Sequence, residues 1–229
     1  MQELTYSIRR SARARRTTVT VCPRRGVEVV LPRRARDREA ARAVQELRPW
    51  IERRLRALAA ASAAVHGPDG TVPYLSDTLW LEPQRGRSRV HRVGERLLVP
   101  AAEPGPAIER WYRRRARAEV EPRVRDAATA LSVSPGPLTI RSQRTRWGSC
   151  APSGALSFNW RLLLAPESVL DYVVWHEVCH LAVLDHSAQF WELVAQHFPD
   201  HREQSRWLRR FGTALSVAPW ESRESRVAA

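Results

Sequence analysis

The chain has 229 residues, 43% of them hydrophobic, with 38 Lys+Arg against 24 Asp+Glu and a formal net charge of +14. That is enough apolar chain for one compound domain or two small ones, and 9 Trp among only 27% charged residues exclude an intrinsically disordered protein. A membrane-spanning helix is excluded too: such a helix needs roughly 18 uninterrupted apolar residues, and the most apolar run, Val169 to Leu184, is broken by Asp171, His176, Glu177 and His180.

Every basic residue is Arg, which fits a GC-rich codon bias, and the excess is uneven. Residues 1 to 56 hold 16 Arg against 6 acidic residues, a net of +10. The N-terminus lacks the apolar core of a secretion signal. Three scattered cysteines, Cys22, Cys150 and Cys179, argue against a disulfide framework and for a reducing compartment, so the expected location is cytoplasmic.

In chain order, TYSIRR and TTVTVC read as strands joined by an Arg-rich turn, and VEVVLP as a third strand after turn chemistry at Pro23 and Gly26, together a small antiparallel sheet. Ala40, Val44, Leu47, Ile51, Leu55 and Leu58 recur at helical spacing over 37 to 64, with Pro49 expected to kink or split the segment. HGPDG at 66 to 70 breaks it. Residues 72 to 99 read as a meander of short strands ending in a tight hairpin across Gly94 and Glu95, with Pro100 to Pro106 as a linker. Ile108, Trp111, Tyr112, Ala116, Val120, Val124, Ala128 and Leu131 then trace one face of a long helix. Strands at PLTIRS and ALSFNW flank RTRWGSC, and helices follow over 166 to 184, 187 to 197 and 200 to 215. The fold class is therefore α+β, divided as a basic β-rich region with a helical insert (1–105), a part with the long helix, a short sheet and three further helices (106–216) and a mobile tail (217–229).

The chemistry concentrates in VVWHEVCHLAVLDHSAQFW, residues 173 to 191. Residues four apart on a helix share a face, so His176 and His180 can point at one metal ion. Glu177 lies about 100° further round, where its carboxylate can reach a water on the open metal position without being a ligand. Such a carboxylate suits a general base for hydrolysis. A turn after the helix could bring His186 back as third ligand, the open three-histidine set of a catalytic rather than a structural zinc site. Glu192, His197, His201 and Glu203 are rival third ligands. The spacing H-E-x-x-H-x5-H matches metzincin peptidases, but Val183 stands where those have Gly, and no Met follows Met1 to form their methionine turn.

The segment from Thr145 to Trp191 resembles the YgjP-like family of zinc metallopeptidases, relatives of the SprT-like zincins. The resemblance is carried by RWGSC at 146 to 150, LSFNWRLLLAP at 156 to 166, LDYVVWHEVCHL at 170 to 181 and DHSAQFW at 185 to 191, with weaker similarity at YSIRRSARARRTTVTV and at Trp50-Ile51. It implies a zincin-like catalytic part, one zinc ion on His176, His180 and His186, Glu177 as base, and protein or peptide substrates. Within it, RWGSC or LSFNW could be an edge strand that pairs with an extended substrate. Equally, Trp147 and Phe158 could be core, Gly148 a bulge, and Ser149, Cys150 and Cys179 packing residues. Arg146, Arg161, Tyr172 and His197 are candidates to stabilise an oxyanion. Arg clusters at 9–16, 33–38, 53–56 and 113–117 could meet phosphates, which makes nucleic-acid association through residues 1–56 an alternative to a solvated basic face.

Overall fold

The computed structural model describes residues 4–22, 26–143 and 145–215. The expected tail and the turn at Pro23 lie outside them. The chain divides into two compact units, Met1–Ala64 and Val65–Ala229, so the strands at 71–100 go with the long helix that follows them, and position 105/106 falls in that helix's first turn.

The first unit holds β1 (Tyr6–Ser11), β2 (Thr18–Cys22), β3 (Gly26–Pro32), α1 (Asp37–Glu46) and α2 (Arg48–Val65). β3 alternates strictly, and its buried Val27, Val29 and Leu31 form a core with Ala40 and Val44 of α1 and Ile51 of α2. Acidic residues in the first turn favour the start of α1, where the Glu39 carboxylate accepts the Arg36 backbone N–H at 3.0 Å. Pro49 splits the helical segment as expected: α1 ends before Leu47, and the proline sits in the first turn of α2, where its missing N–H costs no helical bond.

The second unit holds β4 (Thr71–Tyr74), β5 (Asp77–Gln84), β6 (His91–Val93), β7 (Arg96–Pro100) and α3 (Pro104–Ala130). After these come β8 (Leu138–Arg141), β9 (Gly148–Cys150), β10 (Leu156–Asn159), a 3-10 turn at Trp160–Leu164, α4 (Glu167–Cys179), α5 (Ala188–His197) and α6 (His201–Phe211). Part of the expected linker is helix, since α3 begins at Pro104.

The sheets are mixed, which corrects both the antiparallel N-terminal sheet and the meander. Their orders are β1-β3-β2, β4-β5-β7-β6 and β8-β10-β9. In each, one strand inserts between two earlier ones, parallel to the first and antiparallel to the second. Burial explains the choice. The inserted strands carry Val27, Val29 and Leu31, then Leu97 and Val99, then the fully buried Leu156–Asn159, and the most apolar strand gains most from a central place. Short, polar β6 is left at an edge, its hairpin to β7 turning across Gly94 and Glu95 as expected.

One face of α3 packs Ile108, Trp111, Tyr112, Ala116, Val120 and Val124 into the main core, with the Tyr112 hydroxyl donating to the Pro73 carbonyl. Against α3 lies α4, whose Val169, Leu170, Val173, Val174 and Val178 are buried. Arg123 of α3 joins the two helices, donating to Asp171 at 2.8 Å, to Glu119 at 2.9 Å and to Glu167. A helix buried on nearly every side has little reason to carry His176, Glu177 and His180 unless they have partners.

Candidate metal centre

His176 lies in the last turn of α4. The regular helix ends at Cys179 rather than at Leu184, but His180 keeps right-handed helical angles (φ −66°, ψ −16°) at the cap, so the two imidazoles still stand one turn apart. The chain then turns through bonds from Leu181 N–H to Val178 O and from Val183 N–H to Cys179 O, both 3.0 Å. Asp185 accepts the Ser187 N–H at 3.0 Å just before α5 begins. These turns return His186 to the helix. Its Nε2 lies 3.1 Å from His176 Nε2, and one ring nitrogen of each of the three histidines lies within 4.8 Å of the others.

The donor set fits a metal ion. Bonds of about 2.0–2.1 Å in a tetrahedral site place ligand nitrogens about 3.3–3.4 Å apart, close to the separation found between His176 and His186. His180 Nδ1 is 3.0 Å from the Val183 carbonyl, so it carries the proton and leaves Nε2 bare for a metal. Burial, followed by the two neighbouring imidazoles, pushes the His176 pKa down to about 3, which keeps its ring neutral and able to ligate. Its Nδ1 is buried without a protein partner.

The rings are held by α5. Phe190, fully buried, stacks on His180 with centroids 4.3 Å apart and planes at 20°, and meets His176 and His186 edge-on at 5.0 and 4.9 Å. Trp191, 36% exposed, stands 5.6 Å from His186. The sequence motif contains both aromatics, and only their spacing from His186, four residues for Phe190 and five for Trp191, hints that they wall the site.

Glu177 is 6% exposed. Burial raises its pKa to about 7, against the opposing pull of the Cys150 backbone N–H, which donates to the carboxylate, and of the Arg146 charge. Its side chain lies directly against Gly148: a Cβ built there would come within 2.5 Å of Cγ and Oε1. Gly148 is not a bulge, because β9 runs in unbroken register with β10, Gly148 opposite Phe158.

The other candidates separate clearly. Glu192, His197, His201 and Glu203 are outside the histidine cluster; His197 stacks on Trp175, and His201 Nδ1 meets the Phe198 carbonyl. Cys179 is fully buried, and Cys150 is a partly buried thiol raised by burial and by Glu177. LSFNW is the central strand of its sheet, so it has no free edge for a substrate, whereas RWGSC is an edge whose Cys150 N–H already serves Glu177. Of the oxyanion candidates, Arg146 and Tyr172 lie close enough for electrostatic interaction with Glu177, but Tyr172 is hydrogen-bonded to Ser205. Arg161 lies over the Trp160 ring.

A family model described as YgjP-like, metallopeptidase domain, matches residues 15–211. The chain belongs to the YgjP-like family. Membership identifies a metallopeptidase-type hydrolase with protein or peptide as its substrate class, and the histidine triad could hold the metal that the family name implies. Among solved structures, the metallopeptidase zymogen of Pyrococcus abyssi abylysin is similar at 23% identity, covering 41% of this chain and 95% of that one, with a TM-score of 0.37. No curated protein matches the YgjP-like chain significantly. Among the described residues no helix is long and apolar enough to cross a membrane. The family gives no support to nucleic-acid association through residues 1–56, where Arg9, Arg10, Arg42 and Arg48 pair with Glu28, Asp37, Glu46 and Glu52.

Proposed function

We propose that the chain is a zinc-dependent peptidase with a zincin-like catalytic part, in which His176, His180 and His186 hold one zinc ion and Glu177 is the general base. The carrying observation is the convergence of three imidazoles at the end of α4 beside a buried carboxyl on the same helix. When bound, zinc supplies Lewis acidity, polarising a peptide carbonyl and acidifying water. His180 keeps its orientation through the Val183 carbonyl and the Phe190 ring. Glu177, with a pKa near 7, takes a proton from the attacking water and returns it to the leaving amine. Arg146, whose charge acts on Glu177, is the candidate cation for the charge that develops on the substrate carbonyl.

The test is Glu177→Gln, assayed for zinc content and for digestion of an unfolded protein. Removal of a general base should lower kcat about 10²- to 10⁴-fold while zinc stays bound. Unchanged hydrolysis would sink the base assignment, and loss of zinc would make Glu177 a ligand or a folding residue instead.

A further inference from the structure

RWGSC contains a glycine that neither the metal nor the fold's turns account for. Gly148 is in an ordinary strand, so its lack of a side chain answers to space rather than to backbone angles. The space is taken by Glu177: a Cβ at 148 would lie 2.5 Å from Cγ, 2.5 Å from Oε1 and 2.8 Å from Cδ.

β9 cannot retreat to make room. The Ser149 and Ser157 hydroxyls bond at 2.8 Å, and the Asn159 N–H donates to the Trp147 carbonyl at 2.8 Å. Asn159 Nδ2 ties down the preceding loop through Gln143 O at 2.7 Å and Arg146 O at 3.3 Å. Behind it the Trp147 ring is pressed on Gly212, where a Cβ would meet Cζ2 at 2.7 Å. Any side chain at 148 must therefore move Glu177, and the Cys150 N–H that the carboxylate accepts would lose its partner.

We propose that Gly148 is a positioning residue, its vacant side-chain volume being the seat that fixes the Glu177 carboxylate at one distance and angle from the histidine cluster. The inference rests on Glu177 as base for its effect on rate, but the seat itself stands on packing alone. It explains why a strand remote in sequence from H-E-x-x-H carries a glycine in contact with Glu177.

Gly148→Ala tests the seat. Zinc content and KM should stay near wild type, while kcat falls about 100-fold, the order of loss expected when a reacting group is misplaced by about 1 Å. In the metal-free protein, the Cys150 backbone amide resonance should move in Gly148→Ala as it moves in Glu177→Ala, because both remove the same hydrogen bond. An unmoved Cys150 resonance overturns the proposal, and so does a wild-type kcat in Gly148→Ala where Glu177→Gln is impaired. If Glu177→Gln proves fully active while the resonance still responds to Gly148→Ala, the base assignment fails and the seat stands. Should Gly148→Ala not fold, Gly148→Ala combined with Glu177→Ala should, since the new methyl then enters vacated space; failure of both variants to fold also overturns the proposal.

Discussion

The two units build their sheets alike and treat polar groups in opposite ways. The first carries most of the charge excess, yet its core is Val27, Val29, Leu31, Ala40, Val44 and Ile51, with its described arginines outside. The second holds every buried polar or charged side chain among the described residues: Thr71, Ser157, Asn159, Glu177, His180 and His201. Residues 138 to 200 carry 4 Arg against 6 Asp+Glu, a net of −2. Surface charge costs little to keep and says little about chemistry, whereas each polar group taken out of water needs a compensating partner. Burial against the expected grain, not net charge, marks the site.

The comparison breaks first at the metal. His176→Ala or His186→Ala should reduce zinc from one ion per chain to nearly none, read by elemental analysis, and abolish hydrolysis. Wild type treated with a strong chelator should lose activity and regain it with zinc. Thermal stability should rise with zinc concentration in wild type and not in the variants, since a ligand that binds only the folded state stabilises it by mass action. A His186→Ala protein that keeps its zinc would hand the third position to another residue. Smaller is the effect of Phe190→Ala. Emptying the place of a fully buried ring should cost about 3–5 kcal/mol, measured by denaturant unfolding, and should loosen His180, against which the ring stacks. A loss under about 1 kcal/mol would mean that the wall of the site is not part of its core.

Much of this was readable from residue order, and what was not has a common cause. The helical spacing at 37–64 and 108–131, the split at Pro49 and the i, i+4 histidines are local, so periodicity reveals them. Strand order is not local. That β3, β7 and β10 each slide between two earlier strands depends on which strand buries most once packed, and adjacency in sequence points to hairpins instead. The end of α4 at Cys179 was hidden because Leu181, Ala182, Val183 and Leu184 extend the apolar pattern of the helix, although their backbone forms a turn. Gly148 looked like a bulge because its partner, Glu177, is 29 positions away and belongs to another motif.

The finest contrast sets two arginines of similar connectivity against each other. Arg10 donates to the Arg33 and Ala35 carbonyls and to Asp37 at 2.7 Å, with its side chain 42% exposed and that of Asp37 71% exposed. Arg123 donates to Glu119, Glu167 and Asp171, and is 21% exposed. Arg10→Ala should cost no more than about 1 kcal/mol, because water replaces its contacts. Arg123→Ala leaves three carboxylates facing one another across α3 and α4, beside Tyr74 and Arg115; after discounting for partial exposure it should cost about 1–3 kcal/mol at pH 7. Its pH dependence carries a sign. Burial already raises the Asp171 pKa, with Arg123 opposing, and Arg123 helps to hold Glu119 low despite burial. Without the guanidinium both carboxyls titrate higher in the folded state, so the folded variant takes up protons at a higher pH than folded wild type does. Its deficit relative to wild type should therefore shrink as pH falls from 7 toward the ordinary carboxylate range near 4. A deficit that stays constant or widens on acidification would show that Arg123 acts through packing of its stem rather than through its charge.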